Sequence, residues 1–128
     1  TVFDAVKRWQ ENNIGKTVDF ITKAESPFTE QYSAIEAEVP LKADETTHTN
    51  MRLINELKNA DRIIFAGEAL SHCVANTIRD VLKYVPASKM TLLTDCTSSV
   101  AGFENAGRDF VTEFEAAGGK LETSALKV

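Results

Sequence analysis

Apolar residues recur along the chain with two different spacings, and segments of the two kinds alternate. Apolar side chains three or four positions apart, which is typical of amphipathic helices, occur in four segments, at residues 3–12, 49–59, 71–85 and 103–117. Short apolar runs, which are typical of buried strands, occur at residues 18–21, 62–66, 90–94 and 121–126. Helices that alternate with strands in this way predict an α/β fold with a parallel sheet covered by helices.

One segment, from Lys23 to about Thr47, has neither spacing. It contains Pro27 and Pro40 and is long for a connection within a compact domain. Loops of this length are often functional, so we expect this segment to contribute to a site.

Composition limits the kinds of partner. The 128 residues carry a net charge of −5 with scattered basic residues, which argues against a nucleic-acid partner. No apolar run approaches the length needed to cross a bilayer, so we expect no membrane partner. The two cysteines form no CxxC pair and cannot build a disulfide framework, which favours a reducing, cytoplasmic location.

Cys73 has the most informative position of the reactive residue types. It lies in residues 67–74, GEALSHCV, where a predicted strand ends and a predicted helix begins. Ligands bind at such strand ends in open α/β sheets. Unpaired N–H groups and the positive end of the helix dipole would favour the thiolate there and could hold an oxyanion. The alternative is a small buried apolar residue, the usual environment of a free cysteine.

Two other candidates have simpler interpretations. Cys96 also follows a predicted strand but has no helix start beside it, so we interpret it as a buried structural thiol. His48 precedes a predicted helix and is interpreted as a solvated residue. With His72 it forms no recognisable zinc motif, so we expect no metal ligands within this chain.

Three motifs in order resemble those of the isochorismatase-like cysteine hydrolases, a family that includes the nicotinamidases. Residues 67–74 resemble its nucleophile motif, in which a glycine and, two positions later, an alanine precede Cys-Val. Residues 22–34 resemble its lysine motif, a strand end with Lys23 followed by a Tyr-Ser pair. Residues 95–100 resemble its next strand end. The resemblance spans residues 17–128, and GEALSHCV is most similar to the nicotinamidase branch.

The resemblance implies a fold and a chemistry. The fold is a Rossmann-like, three-layer α/β/α arrangement with strand order 3-2-1-4-5-6. The chemistry is hydrolysis of a C–N bond, most typically nicotinamide to nicotinate and ammonia, through a thioester on Cys73. Lys23 would stabilise the negative charge of the thiolate or of a neighbouring aspartate. Its alternative is an ordinary surface lysine.

The resemblance also implies how the substrate is held. The backbone N–H groups of Ala69 and Cys73 would bind the oxyanion, and the Glu68–Ala69 peptide bond would be cis. Tyr32 and His72 would line the substrate pocket. The alternatives are a half-buried packing tyrosine and an exposed histidine at a helix start.

The chain departs from the family pattern in three places. Ala24 stands where a glycine is usual, and Ile35 stands where an aromatic residue is common. The family's catalytic aspartate and its metal-binding Asp and His residues lie upstream, where this sequence has no counterpart. We therefore expect residues 1–128 to be the C-terminal part of a single hydrolase domain whose sheet is incomplete, without its first strands.

An incomplete domain of this kind implies particular partners and a cofactor. An upstream part of the same gene product, as a second chain or an uncut half, would supply the aspartate. It would also supply the ligands for a divalent metal such as Zn²⁺. The other expected partners are a small amide substrate and further copies of the chain in a homo-oligomer. Two alternative functions stay open: hydrolysis of another amide or of isochorismate, and an inactive scaffold that keeps the fold without the aspartate.

Overall fold

The chain forms a parallel sheet connected by helices. A computed structural model describes residues 1–125, and its helices and strands are α1 (Val2–Asn12), α2 (Met51–Asn59), β1 (Ile63–Glu68), α3 (Ala75–Leu82), β2 (Met90–Ser98), α4 (Glu104–Ala116) and β3 (Lys120–Glu122). A π-helical turn, Leu70–Val74, leads directly into α3. In the described part of the chain the strand order is β1-β2-β3, and both pairings are parallel. This confirms the predicted α/β class.

Local sequence signals explain where the first two helices begin. Thr1 and Asp4 form a capping box at the start of α1, each side chain accepting a hydrogen bond from the other residue's backbone N–H. The side chain of Asn50 caps α2 by accepting from the N–H of Leu53 at 3.1 Å. These contacts satisfy N–H groups that have no partner within the helix.

The core lies around β2. Met90, Thr91 and Leu92 are consecutive and at most 1% exposed, and since successive strand residues face opposite sides, both faces of β2 are covered here. Most of the other large buried side chains come from the helices, and Ile35 of the loop before α2 joins them in the core. The helical ones are Ile54 of α2, Ile78 and Val81 of α3, and Phe110 and Phe114 of α4. In contrast, Ile64 of β1 is 40% exposed, and β1 pairs with a strand on one side only in the described chain.

Two strand predictions differ from the structure. Residues 18–21 form no strand and do not pair with β1, because an extended apolar run becomes a strand only where a neighbouring strand provides hydrogen-bond partners. Phe20 in this segment is 69% exposed. The last strand was predicted over residues 121–126, whereas β3 ends at Glu122; residue 126 lies outside the described residues.

The helices of the described region are also informative about membranes. None of those between residues 1 and 125 combines the length and the apolar character that a bilayer span requires.

Candidate active site

The loop that precedes α2 meets the turn that precedes α3. The Nζ atom of Lys23 lies 3.3 Å from the Sγ atom of Cys73. The loop is fixed to α3 by a hydrogen bond of 3.0 Å from the N–H of Ala34 to Oγ1 of Thr77. The structure therefore brings together the two residues that the sequence singled out for catalysis, from motifs 50 positions apart.

Lys23 is held by backbone carbonyl groups. Its Nζ atom donates to the carbonyl oxygen of Tyr32 at 2.8 Å and to that of Gln31 at 3.3 Å. An ammonium has three N–H donors, and the third acceptor is the sulfur of Cys73. The positive charge thus faces the sulfur, and an electropositive neighbour of this kind is typical of reactive cysteines.

Cys73 lies in the helical turn that follows β1. The Glu68–Ala69 peptide bond is cis, which confirms the geometry expected from the resemblance. The carbonyl oxygen of Ala69 accepts from the N–H groups of His72 at 3.1 Å and Val74 at 3.0 Å. Ala69 and Cys73 therefore belong to one tight turn, and their joint binding of an oxyanion stays a prediction.

A cavity of about 280 Å³ opens between residues 23–47, called the lysine loop here, and the end of β1. Its lining includes the ammonium of Lys23 and the thiol of Cys73, together with the side chains of Tyr32, Phe65 and Val74. A mainly apolar cavity with a few converging polar groups is typical of small-molecule sites. Tyr32 is therefore positioned to contact a ligand beside the sulfur.

His72 lies among aromatic rings beside the cavity. Its ring packs between Tyr32, at a centroid distance of 5.7 Å, and Phe103, at 4.8 Å and edge-on. Its Nδ1 atom lies 2.8 Å from Oγ of Ser71, which accepts from the N–H of Val100 at 3.0 Å. His72 thus contacts the pocket residue Tyr32, and its own contact with substrate stays a prediction.

The structure reveals a buried residue that sequence patterns did not indicate. Gln31 is 8% exposed, and its side chain bonds to two separate points of the lysine loop, the N–H of Ala24 and the carbonyl oxygen of Ser33, each at 3.1 Å. Ala24, which replaces the usual glycine, has φ of 58°. This left-handed conformation is the one that glycine adopts without strain, so the resemblance pointed to a real backbone requirement.

Cys96 differs from Cys73 in its electrostatic environment. It lies within β2, with its sulfur 3.5 Å from Oδ1 of Asp95. Desolvation by the surrounding protein and the negative charge of Asp95 both raise the pKa of the Cys96 thiol. This thiol is therefore a weaker nucleophile at neutral pH than an ordinary cysteine.

The residues of the described region do not fit a metal ion. Between residues 1 and 125, no group of three or more His, Cys, Asp or Glu side chains is arranged to hold one. A metal bound at this site would need further ligands besides the described residues.

Comparison with known proteins identifies the fold. The pyrazinamidase of Pyrococcus horikoshii, solved in complex with zinc, matches with a TM-score of 0.62 and 22% identity over 87% of this chain and 54% of that one. The yeast nicotinamidase Pnc1p matches with a TM-score of 0.64 and 20% identity over 94% and 49%. PnC1 of L. infantum, solved with nicotinate, matches with a TM-score of 0.66 and 23% identity over 88% and 52%.

Sequence comparison adds nothing to these likenesses, since no family model and no curated protein matches the chain. The chain spans about half the length of the solved structures it matches. It therefore has the α/β fold of these nicotinamidase and pyrazinamidase structures, over a part equal to about half of their length.

Proposed function

We propose that the complete protein is a cysteine amidohydrolase that converts nicotinamide to nicotinate and ammonia. The observation that carries the proposal is the distance of 3.3 Å between Nζ of Lys23 and Sγ of Cys73. An ammonium aimed at a cysteine beside a cavity is an arrangement that activates a nucleophile, whereas a structural thiol needs no charged neighbour. The fold that the chain shares with nicotinamidases supports the choice of substrate class.

The residues of this chain account for the nucleophilic half of such a reaction. The Cys73 thiolate attacks the amide carbonyl carbon, and the C–N bond breaks as the nitrogen takes a proton and leaves as ammonia. Water then cleaves the thioester, which releases the carboxylic acid and regenerates the thiol. Backbone N–H groups of Ala69 and Cys73 stabilise the oxyanion in both steps. Lys23 supplies a fixed positive charge beside the sulfur.

The proton transfers require a general acid–base group beside the sulfur. Among the described residues that line the cavity, Glu68 is the one carboxylate, and its Oε2 accepts from Oγ of Ser98 at 2.9 Å. We propose that an upstream part of the same gene product contributes the aspartate that moves the proton, together with any ligands for a divalent metal such as Zn²⁺. Assembly into a homo-oligomer and a cytoplasmic location, where the free thiols Cys73 and Cys96 stay reduced, complete the proposal.

The second candidate function is hydrolysis of another substrate by the same nucleophile. The cavity lining explains why this alternative stays open, because Tyr32, Phe65 and Val74 offer general apolar contact rather than groups specific to a pyridine ring. An inactive scaffold is the third possibility, and Lys23 beside Cys73 argues against it because a scaffold needs no such pair.

The test is ammonia release from nicotinamide by purified complete gene product. Cys73→Ala should abolish release. In the protein that retains Cys73, a thioester on this residue should be trapped when the reaction is quenched with acid during the first turnover. Cys96→Ala is the matched control and should retain activity. A folded protein that releases ammonia from benzamide or another small amide, but not from nicotinamide, would favour the second candidate. No hydrolysis of any tested substrate would favour the scaffold.

A further inference from the structure

Gln31 is a buried polar residue of the lysine loop, next to residues that reach the surface. It is 8% exposed, whereas its neighbour Tyr32 is 39% exposed. Burial of an amide side chain is unfavourable unless its polar atoms find partners. Both ends of the Gln31 amide have them.

The orientation of the Gln31 amide follows from those partners. The N–H of Ala24 can only donate, so the atom 3.1 Å from it is the amide oxygen. The carbonyl oxygen of Ser33 can only accept, so the atom 3.1 Å from it is the amide nitrogen. The side chain therefore joins the residue that follows Lys23 to the residue that follows Tyr32.

The main chain of the same residue contacts the lysine head group. The carbonyl oxygen of Gln31 accepts from Nζ of Lys23 at 3.3 Å, and that of Tyr32 accepts at 2.8 Å. The side chain of Gln31 thus fixes both flanks of the loop, while its carbonyl fixes the ammonium between them. A lysine has a long flexible stem, and without such fixation its ammonium would be free to turn to solvent.

We propose that Gln31 is a positioning residue that acts through Lys23 to hold the ammonium against the sulfur of Cys73. The inference rests on the proposed function, in which Lys23 activates Cys73. It assigns a role to a residue that contacts neither the sulfur nor the cavity. It also explains why a left-handed Ala24 is tolerated, since the Gln31 amide holds that backbone N–H in place.

A double-mutant cycle on thiol reactivity tests the proposal. The rate of iodoacetamide labelling of Cys73 is measured in the complete gene product with Cys96→Ala as background, for Gln31→Met, Lys23→Met and the double variant. Gln31→Met keeps the side-chain length but removes both amide hydrogen bonds. We expect it to slow labelling about 5-fold, because the ammonium of Lys23 is then held against the sulfur of Cys73 for a smaller fraction of the time. In the Lys23→Met background we expect no further change, because the residue through which Gln31 acts is absent.

The outcomes separate positioning from general destabilisation. An equal fall in labelling rate in both backgrounds, or no fall in either, would overturn the proposal. So would unchanged labelling in Lys23→Met alone. Gln10→Met, on the exposed helix α1, is the matched control and should leave the rate unchanged. If Gln31→Met melts below the assay temperature, the isosteric Gln31→Glu replaces it, since the carboxylate retains the acceptor for Ala24 and loses the donor to Ser33.

The same cycle distinguishes failure of this inference from failure of the proposed function. Iodoacetamide reports the state of the thiol and does not depend on substrate. A protein that shows the predicted coupling but releases no ammonia from nicotinamide retains the role of Gln31 and loses the substrate assignment. A protein that hydrolyses nicotinamide but shows no coupling retains the function and loses the role of Gln31.

Discussion

The ammonium of Lys23 lies 3.3 Å from the sulfur of Cys73, and the remaining donors of the lysine bond to backbone carbonyl oxygens. Removal of that charge should affect chemistry more than folding, because the side chain of Lys23 lies at the surface of an open cavity. In the complete gene product we expect Lys23→Met to lower kcat by at least about 100-fold, the scale found when a preorganised electrostatic group is lost.

The measurement pairs steady-state kinetics with thermal melting. Lys42→Met removes a lysine from an exposed position in the same loop and should leave both kcat and Tm unchanged. A large fall in Tm with retained turnover would make Lys23 structural.

The two thiols should differ in their pH dependence. Burial and the carboxylate of Asp95 raise the pKa of Cys96, so its thiolate form appears only above the usual pH range for cysteine. At neutral pH we expect iodoacetamide to label Cys73 well before Cys96. Labelling of Cys96 should increase only at a higher pH than labelling of an ordinary thiol, because its pKa is raised.

Asp95→Asn provides the control for this interpretation. Without the negative charge, the onset of Cys96 labelling should move to lower pH, while Cys73 should be unaffected. Peptide mapping by mass spectrometry after timed labelling gives both rates. Cys96 reacting first at neutral pH would contradict the assignment of the nucleophile.

The sequence predicted the elements whose apolar spacing is regular. The stripe of Ile78 and Val81 predicted a helix that the structure places in the core, and the run that begins at Met90 predicted a central strand. Residues 18–21 show the limit of such patterns, since they are apolar enough for a strand but have no paired neighbour in the described chain.

The sequence predicted some residues of the site and missed others, because contacts between distant segments leave no regular spacing. The proximity of Lys23 and Cys73 came from motif resemblance, because nothing in local spacing relates residues 50 positions apart. Gln31 was not anticipated, since a single amide in an irregular loop has no periodicity and its burial depends on the folded path of the loop. The Ala-for-Gly departure at position 24 was the one signal that pointed to this backbone.

Ala24→Gly should stabilise the protein. Ala24 has φ of 58°, a conformation that costs a non-glycine residue about 1–2 kcal/mol. Glycine removes that cost but loses more entropy on folding, by about 0.5–1 kcal/mol, so the net gain in the free energy of unfolding should be up to about 1.5 kcal/mol.

Denaturant titration measures this difference. Ala43→Gly, also in the exposed part of the loop but without a positive φ, should lower stability slightly. Equal destabilisation by Ala24→Gly and Ala43→Gly would contradict the prediction that a left-handed backbone at position 24 favours glycine.

The loop should also be held to α3 in a pH-dependent way. Oε1 of Glu36 accepts from Nζ of Lys83 at 2.6 Å, and its Oε2 accepts from Oγ1 of Thr49 at 2.6 Å. Both hydrogen bonds lower the pKa of Glu36 from the ordinary value of 4.5, and the one from Lys83 has the larger effect. A lowered pKa stabilises the fold above the ordinary value, and this contribution is lost as the pH falls through the lower folded-state value.

Glu36→Gln should therefore reduce the free energy of unfolding near neutral pH, by up to about 1 kcal/mol because Lys83 is half exposed. The difference between the variant and the original protein should shrink as the pH falls below 4.5. Denaturant titrations at neutral and acid pH give the two differences. Exposed Glu38→Gln is the control, and a Glu36→Gln difference that stays constant with pH would contradict the linkage.

The last prediction concerns β1, which pairs with β2 on one side only in the described chain. Ile64 is 40% exposed and Phe65 lines the cavity, so this edge is apolar as well as unpaired. Exposed apolar edges tend to pair with further strands. Under the proposed function, the upstream part of the gene product supplies that strand and places its aspartate beside Cys73.

Hydrogen exchange followed by mass spectrometry tests this arrangement. Peptides covering β1 should exchange about 10-fold or more slowly in the complete gene product than in residues 1–128 alone, relative to peptides covering β2, since each amide that gains a partner becomes protected. The β2 reference matters because residues 91 and 92 are buried in this chain already, so their protection reports overall stability rather than a new neighbour. Equal β1-to-β2 ratios in the two proteins would mean that no upstream strand covers β1. The aspartate would then have to reach Cys73 by another route, from a loop or from a second copy of the chain.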